Sequence, residues 1–169
     1  MPHSVKRKGQ KMDLTEMNDI DRFTLLLRVR YGECDAQHVV FNARFGDYAD
    51  IAMTEFLRKL IGGYDRLIEA GMDTQVVRLT TDFRSPARFD DVLAITVETT
   101  SIGNTSFALT MQMYEYPSRR HIATTTATYV LVTAKTHRKM RVPDDMRSLL
   151  EQGAPGTTVN QAGVIVGAE

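Results

Sequence analysis

Glu33, Asp35, His38 and Asn42 fall within one short stretch, RYGECDAQHVVFN, from Arg30 to Asn42. Carboxylates beside an imidazole are the residue types of general acid–base or nucleophilic chemistry. The stretch runs at once into an amphipathic helix whose apolar positions are Phe45, Tyr48, Ala49, Ala52, Met53, Phe56, Leu57 and Leu60. That three-then-four spacing draws one apolar stripe along a helix. Asn42 stands where an N-cap belongs, and Gly62-Gly63 supply a left-handed stop. Asp47 and Asp50 come early and Arg58 and Lys59 late, in keeping with the macrodipole. A helix start directs backbone N–H groups at whatever anion meets it. Asp35 on the loop, assisted by that helix start, is therefore the candidate chemical unit. Aspartate also favours turns and caps for purely local reasons, which is the competing reading. Glu33 reads as a solvated or salt-bridged carboxylate, and Cys34 as a small packed hydrophobe. His38 either takes part in the chemistry or is hydrogen-bonded within the loop.

The elements that must position this unit follow from pattern. Phe23–Arg30 is a strand with Phe23, Leu25, Leu27 and Val29 on one face. After the long helix come a short helix over Tyr64–Ala70, ended by Gly71, and then strands only. Gln75–Arg84 puts Val77, Leu79, Thr81 and Phe83 on one face, and Val92–Ser101 does the same with Leu93, Ile95 and Val97. Gly103-Asn104 turns into Thr105–Tyr116, with Phe107, Leu109, Met111 and Met113 inward. Pro117-Ser118 turns into His121–Thr133, rich in β-branched residues. A last short helix follows Pro143, capped by Asp144. Residues 1–20, with a short helix around Leu14–Met17, read as a flexible arm; 21–151 as one α+β domain; 152–169 as a flexible tail. The strands are too close in sequence for crossover helices, so they form an antiparallel meander of about five strands curled around the long helix. An edge strand of that sheet needs cover, and a second copy is the natural partner.

Composition narrows the classes of function. The formal net charge is +0 over 169 residues, so no global field recruits nucleic acid. Cys34 is the sole cysteine, which excludes an intrachain disulfide framework or a cysteine-rich zinc site and favours a reducing, cytoplasmic setting. No apolar run reaches the roughly 20 residues that span a bilayer, and no signal-peptide core is expected. No Gly-x-Ser-x-Gly elbow, phosphate-binding loop or metal motif occurs, so no cofactor or metal is expected.

At RYGECDAQHVVFNARF the chain resembles the 4-hydroxybenzoyl-CoA thioesterase family of the hotdog fold, and especially its short bacterial acyl-CoA thioesterases of the Tol–Pal-associated type. The resemblance rests on Tyr31, Glu33, Asp35, Val39, Val40 and Phe41, on FRSPARFDD from Phe83 to Asp91, and on GNTSF from Gly103 to Phe107. It implies a long helix wrapped by an antiparallel sheet, dimers with a continuous sheet that pair again into tetramers, and active sites at subunit interfaces. It also implies a coenzyme A thioester as substrate, Asp35 as the catalytic carboxylate, and a backbone amide near Asn42 that polarises the thioester carbonyl. Tyr31, Phe41 and Asn104 are candidate substrate contacts, and Thr105 and Ser106 either touch the ligand near the interface or are satisfied strand hydroxyls. Two departures stand out: the family commonly has glycine where this chain has His38, and a histidine or tyrosine where it has Asn42.

The chemistry stands on its own terms too. A thioester is already activated, because its leaving thiol has a pKa of about 8.5. One carboxylate, as base on water or as nucleophile, together with an oxyanion site worth about 3–4 kcal/mol, then suffices. Lys135, Arg138, Lys139 and Arg141 either meet coenzyme A phosphates or form a solvated charge run. Met53, Met111 and Met113 line either the core or an acyl pocket, and His121 serves structure or surface. Hydrolysis of an acyl-CoA is the leading function. A hotdog hydratase or dehydratase, using His38 with Asp35, and a non-catalytic acyl-CoA-binding module are the alternatives.

Overall fold

In the structure, a computed structural model, residues 22–165 are described. The expected N-terminal arm and its short helix lie outside the described residues. The strands are β1 (Phe23–Arg28), β2 (Met72–Phe83), β3 (Val92–Ile102), β4 (Ser106–Tyr116), β5 (Arg120–Thr133) and β6 (Thr158–Asn160). The helices are α1 (Arg44–Ile61), α2 (Tyr64–Glu69) and α3 (Asp144–Gln152). One six-stranded sheet runs in the order β2-β5-β4-β3-β1-β6. All pairings are antiparallel except β1 with β6.

α1 lies across the sheet and meets β1, β3, β4 and β5. Its buried residues are Phe45, Tyr48, Ala49, Ala52, Met53, Phe56 and Leu57, the predicted stripe except for Leu60, which is half-buried at its end. They join Leu25, Ile95, Leu109, Met111 and Met113 in one core, so the three methionines named above are core residues. Each such side chain contributes on the order of 1.5–3 kcal/mol by burial, which outweighs helix propensity in holding α1 in place. Gly62 ends the helix at φ 88°, its N–H bonded to Arg58 O. The opposite sheet face carries hydroxyls that pair across strands: Thr100 with Thr110 at 3.2 Å, and Thr110 with Thr126 at 3.1 Å.

Several expectations are corrected. The cap of α1 is Ala43, in the right-handed helical region with no side-chain cap bond, and Asn42 precedes it. Pro143 is the cap of α3, and Asp144 is its first residue. β2 is interrupted by a bulge between Val76 and Arg78, and Val77, Leu79 and Phe83 remain 60%, 48% and 51% exposed. As an edge strand, β2 is only partly covered: Phe83 meets Phe45 of α1 and Leu79 lies beside Gly46. The tail expected from residue 152 onward contains β6, so the sheet has a sixth strand and one parallel pair. Ala162 beyond it covers Leu26, Val92 and Ala94 on the outer face, a second small cluster.

Candidate active site

Cys34 and Val40 form an isolated antiparallel bridge, which makes 35–39 the tip of a tight loop. Across it the Asp35 N–H donates to Val39 O, and the His38 N–H donates to Asp35 O, both at 2.9 Å. Closing the loop puts His38 at φ 61°, a backbone region where glycine is the unstrained choice. That gives a physical meaning to the glycine the resemblance implies at this position. The Gln37 N–H donates to Asp35 Oδ1 at 2.8 Å, while Oδ2 accepts no hydrogen bond among the described residues. The aspartate thus shapes its own turn with one oxygen and keeps the other open. Its side chain is half-buried, and that of His38 is exposed.

The start of α1 is built from backbone alone. Arg44 N–H donates to Phe41 O at 2.9 Å and Phe45 N–H to Asn42 O at 3.3 Å, so the lead-in is a tight turn with no capping side chain. The Phe41 N–H is taken by Glu33 O at 2.9 Å. Among the described residues, the amides of Asn42 and Ala43 donate to no backbone carbonyl. Unpaired amides at a helix start are the groups that receive an anion or a polarised carbonyl oxygen.

Glu33 is fixed. Its Oε2 accepts from Tyr48 Oη at 2.8 Å and from the Arg30 N–H at 2.7 Å, and Oε1 lies 3.9 Å from Arg30 Nε. Burial, then the hydrogen bond to Glu33 and the Glu33 charge, push the Tyr48 hydroxyl above the usual tyrosine range. The salt-bridged reading of Glu33 holds; the apolar pattern gave no hint that Tyr48, wholly buried, would be its partner.

Val40 N–H donates to Ala87 O at 2.9 Å, which joins the loop to the segment after β2. A cavity of about 310 Å³ opens there, lined by Val39, Asn42, Phe45, Phe83 and Pro86 among others. Phe45 and Phe83 meet edge-to-face at 5.0 Å. The FRSPARFDD segment is held by Arg120, which donates to Pro86 O at 2.6 Å and pairs with Asp91 at 3.6 Å. Farther along α1, a second cavity of about 330 Å³ is lined by Gly46, Asp50, Val76, Leu79 and Tyr129. Burial, and secondarily the Asp50 charge, push the Tyr129 hydroxyl above its ordinary range.

The other expected contacts divide. Tyr31 is 82% exposed and meets Phe89 edge-to-face at 5.9 Å, and Phe41 is 49% exposed, both flanking the Asp35 loop in sequence. Asn104, Thr105 and Ser106 are elsewhere. Asn104 O accepts from Val142 N–H and Thr105 O from Leu131 N–H, both at 2.8 Å. Ser106 pairs with Val130 on β5, whereas Phe83 beside the cavity pairs with Ala123 of the same strand. Seven residues of strand separate the two positions by roughly 23 Å. One protomer therefore does not bring that turn to Asp35. Lys135, Arg138 and Lys139 are exposed, and Arg141 pairs with Asp144 at 2.7 Å. His121 lies over Tyr114 with ring centroids 4.9 Å apart and Nε2 3.1 Å from Thr124 Oγ1, a structural setting. Cys34 packs against the core. Among the described residues no three His, Cys, Asp or Glu side chains gather as metal ligands, and no helix is long and apolar enough to cross a membrane.

Residues 29–150 match the profile of the thioesterase-like superfamily. The chain belongs to that superfamily. An acyl-CoA thioester hydrolase of Escherichia coli, YbgC, is 33% identical over 87 residues, which is 52% of this chain and 65% of that protein. The match therefore spans a little under two thirds of the relative's length. A 1,4-dihydroxy-2-naphthoyl-CoA thioesterase from Synechocystis superposes with a TM-score of 0.69 at 19% identity, covering 76% of this chain and 95% of its own. A probable thioesterase of Escherichia coli, YbaW, does so at 0.69 and 23%, covering 77% and 97%. These likenesses show the hotdog fold, with β6 as an addition to the expected five strands.

Proposed function

We propose that this protein hydrolyses acyl-CoA thioesters to a free carboxylic acid and coenzyme A. The observation that carries the reading is the half-buried Asp35 carboxylate, with Oδ2 open, a short loop away from the unpaired amides of Asn42 and Ala43. Asp35 acts as general base on water or as nucleophile, and the Asn42 amide polarises the thioester carbonyl. The apolar cavity of Val39, Phe45 and Phe83 beside it suits an acyl group. The acyl-CoA thioester hydrolase activity of the YbgC relative and the shared superfamily point the same way. A lone cysteine, present as a free thiol, fits a cytoplasmic protein.

The working unit in this reading is a homodimer, itself paired into a tetramer. One sheet edge is the three-residue β6, while the other is the twelve-residue β2 with Val76, Val77, Leu79 and Phe83 exposed. Long apolar edges recruit another strand. A two-fold axis through β2 sets the Phe83 end of one copy against the Met72 end of the other. Met72 pairs with Thr133, close to where Thr105 is bonded to Leu131. The partner's Asn104–Ser106 turn would then approach the Asp35 loop, and the contact that one chain lacks is supplied by two.

Thiol release from a panel of acyl-CoAs tests the reading, with Asp35→Asn and Asp35→Ala beside the native protein. Turnover by the native chain and its loss in both variants is the expected result. Binding across the panel without turnover would mark a ligand-binding module. Loss of an enoyl-CoA chromophore without thiol release would mark a hydratase using His38.

A further inference from the structure

Glu33 contacts three separate parts of the site scaffold. Its carboxylate accepts from the Arg30 N–H, just past the end of β1, and from Tyr48 Oη, within the first turns of α1. Its own carbonyl accepts the N–H of Phe41, the residue immediately before Asn42. Asp35 is two residues beyond Glu33 in the opposite direction. The position of the Asp35 carboxylate relative to the helix-start amides is therefore set at Glu33. The anchor on the helix side is rigid, because Tyr48 is fully buried, with its ring against Phe45 at 5.8 Å. Core packing needs only the ring of Tyr48; a hydroxyl there has a use only if something must be held by it. A buried donor bonded to a carboxylate is among the stronger hydrogen bonds a fold can make.

On the reading that Asp35 performs the hydrolysis, we infer that Glu33 and Tyr48 are positioning residues for it: their hydrogen bond holds the Asp35 loop against the start of α1. Neither touches the substrate. Catalysis of this kind depends on the spacing between the carboxylate and the oxyanion donors, and a displacement of about 1 Å can cost on the order of 100-fold. Removing the Tyr48 hydroxyl leaves Glu33 still bonded to the Arg30 N–H. The loop then keeps its general course and loses its register with the helix.

The test is steady-state thiol release by Tyr48→Phe, Glu33→Gln and Glu33→Ala, alone and combined with Asp35→Asn. Tyr48→Phe is expected to lower kcat by roughly 10- to 100-fold, with KM changed by less than about threefold. Glu33→Gln, which keeps an acceptor for Tyr48, is expected to retain more activity than Glu33→Ala. In the Asp35→Asn background, Tyr48→Phe should cost nothing further, because it acts only through Asp35. A kcat for Tyr48→Phe equal to that of the native protein overturns the inference. So does a loss that multiplies with that of Asp35→Asn, since that is how a general weakening of the fold behaves. If Tyr48→Phe does not fold, the order of the two Glu33 variants decides the matter by the same comparison. A native protein that releases no thiol overturns the hydrolase reading itself, which a defect confined to Tyr48→Phe does not.

Discussion

Asp35 Oδ1 is bonded to the Gln37 N–H, and Oδ2 accepts no hydrogen bond among the described residues. The turn reading of this aspartate holds through Oδ1, and the proposed chemistry draws on Oδ2, because a carboxylate has more acceptor capacity than one turn uses. At His38 the backbone matters first: φ 61° and an exposed side chain describe a loop position that a glycine fills without strain. His38→Gly is therefore expected to raise stability by about 1 kcal/mol, measured by denaturant unfolding, and to retain thiol release. Loss of turnover in that variant would assign the imidazole to the reaction. Asp35, His38 and Glu33 were all visible in the sequence as residue types at short spacing. The partner of Glu33 was not, since an apolar stripe explains Tyr48 without reference to its hydroxyl. The cap was misread for a related reason. Asparagine is a favoured capping residue, but here the carbonyls of Phe41 and Asn42 do the work from the backbone, where side-chain identity leaves no trace.

α1 and β2 behave as opposites. The helix was legible to within a residue because its stripe faces a sheet across its whole length, and a single face buried everywhere produces a clean period. β2 was legible as a strand, and Leu79, Thr81 and Phe83 do share one face of it. The bulge between Val76 and Arg78 takes Val77 out of the alternation, and the apolar side stays about half exposed although Phe45 meets Phe83 and α2 lies against the strand. The edge comes close to the helix at Gly46, where a Cβ would lie 3.4 Å from Leu79 Cδ2, an ordinary contact. The exposure of Val76, at 53%, predicts the behaviour of Val76→Lys. That substitution disturbs no buried contact, so far-ultraviolet circular dichroism should be unchanged. Sedimentation equilibrium should instead show an assembly smaller than the native one, with thiol release lost along with the β2 pairing. A variant that keeps the native assembly would remove β2 from the interface.

The whole sheet has two edges, and the chain treats them differently. β6 runs parallel to β1 and brings Ala162 onto Leu26, Val92 and Ala94, so the β1 edge and its outer face are covered from within. This also explains why β1 and the first half of β3 are buried on both faces when their sequences promise only one. A three-residue strand of small and polar residues, joined by a long-range parallel pairing, leaves no local periodicity to read. Ending the chain at Gly153 should uncover those side chains and bare a second edge. The expected outcome is a lower melting temperature and light scattering that grows with concentration; unchanged values would mean that β6 is dispensable. Among the described residues no further strand pairs with the β2 edge. In the proposed dimer the site is shared: within one protomer Phe83, beside the Asp35 loop, and the Asn104–Ser106 turn lie at opposite ends of β5. The measurement that tests the central claim most directly is thiol release by Asp35→Asn, in protein shown to be folded and in the native oligomeric state. The account predicts a fall of at least about 100-fold in kcat, on the scale of a lost general base or nucleophile. Turnover within a few fold of the native protein would contradict it.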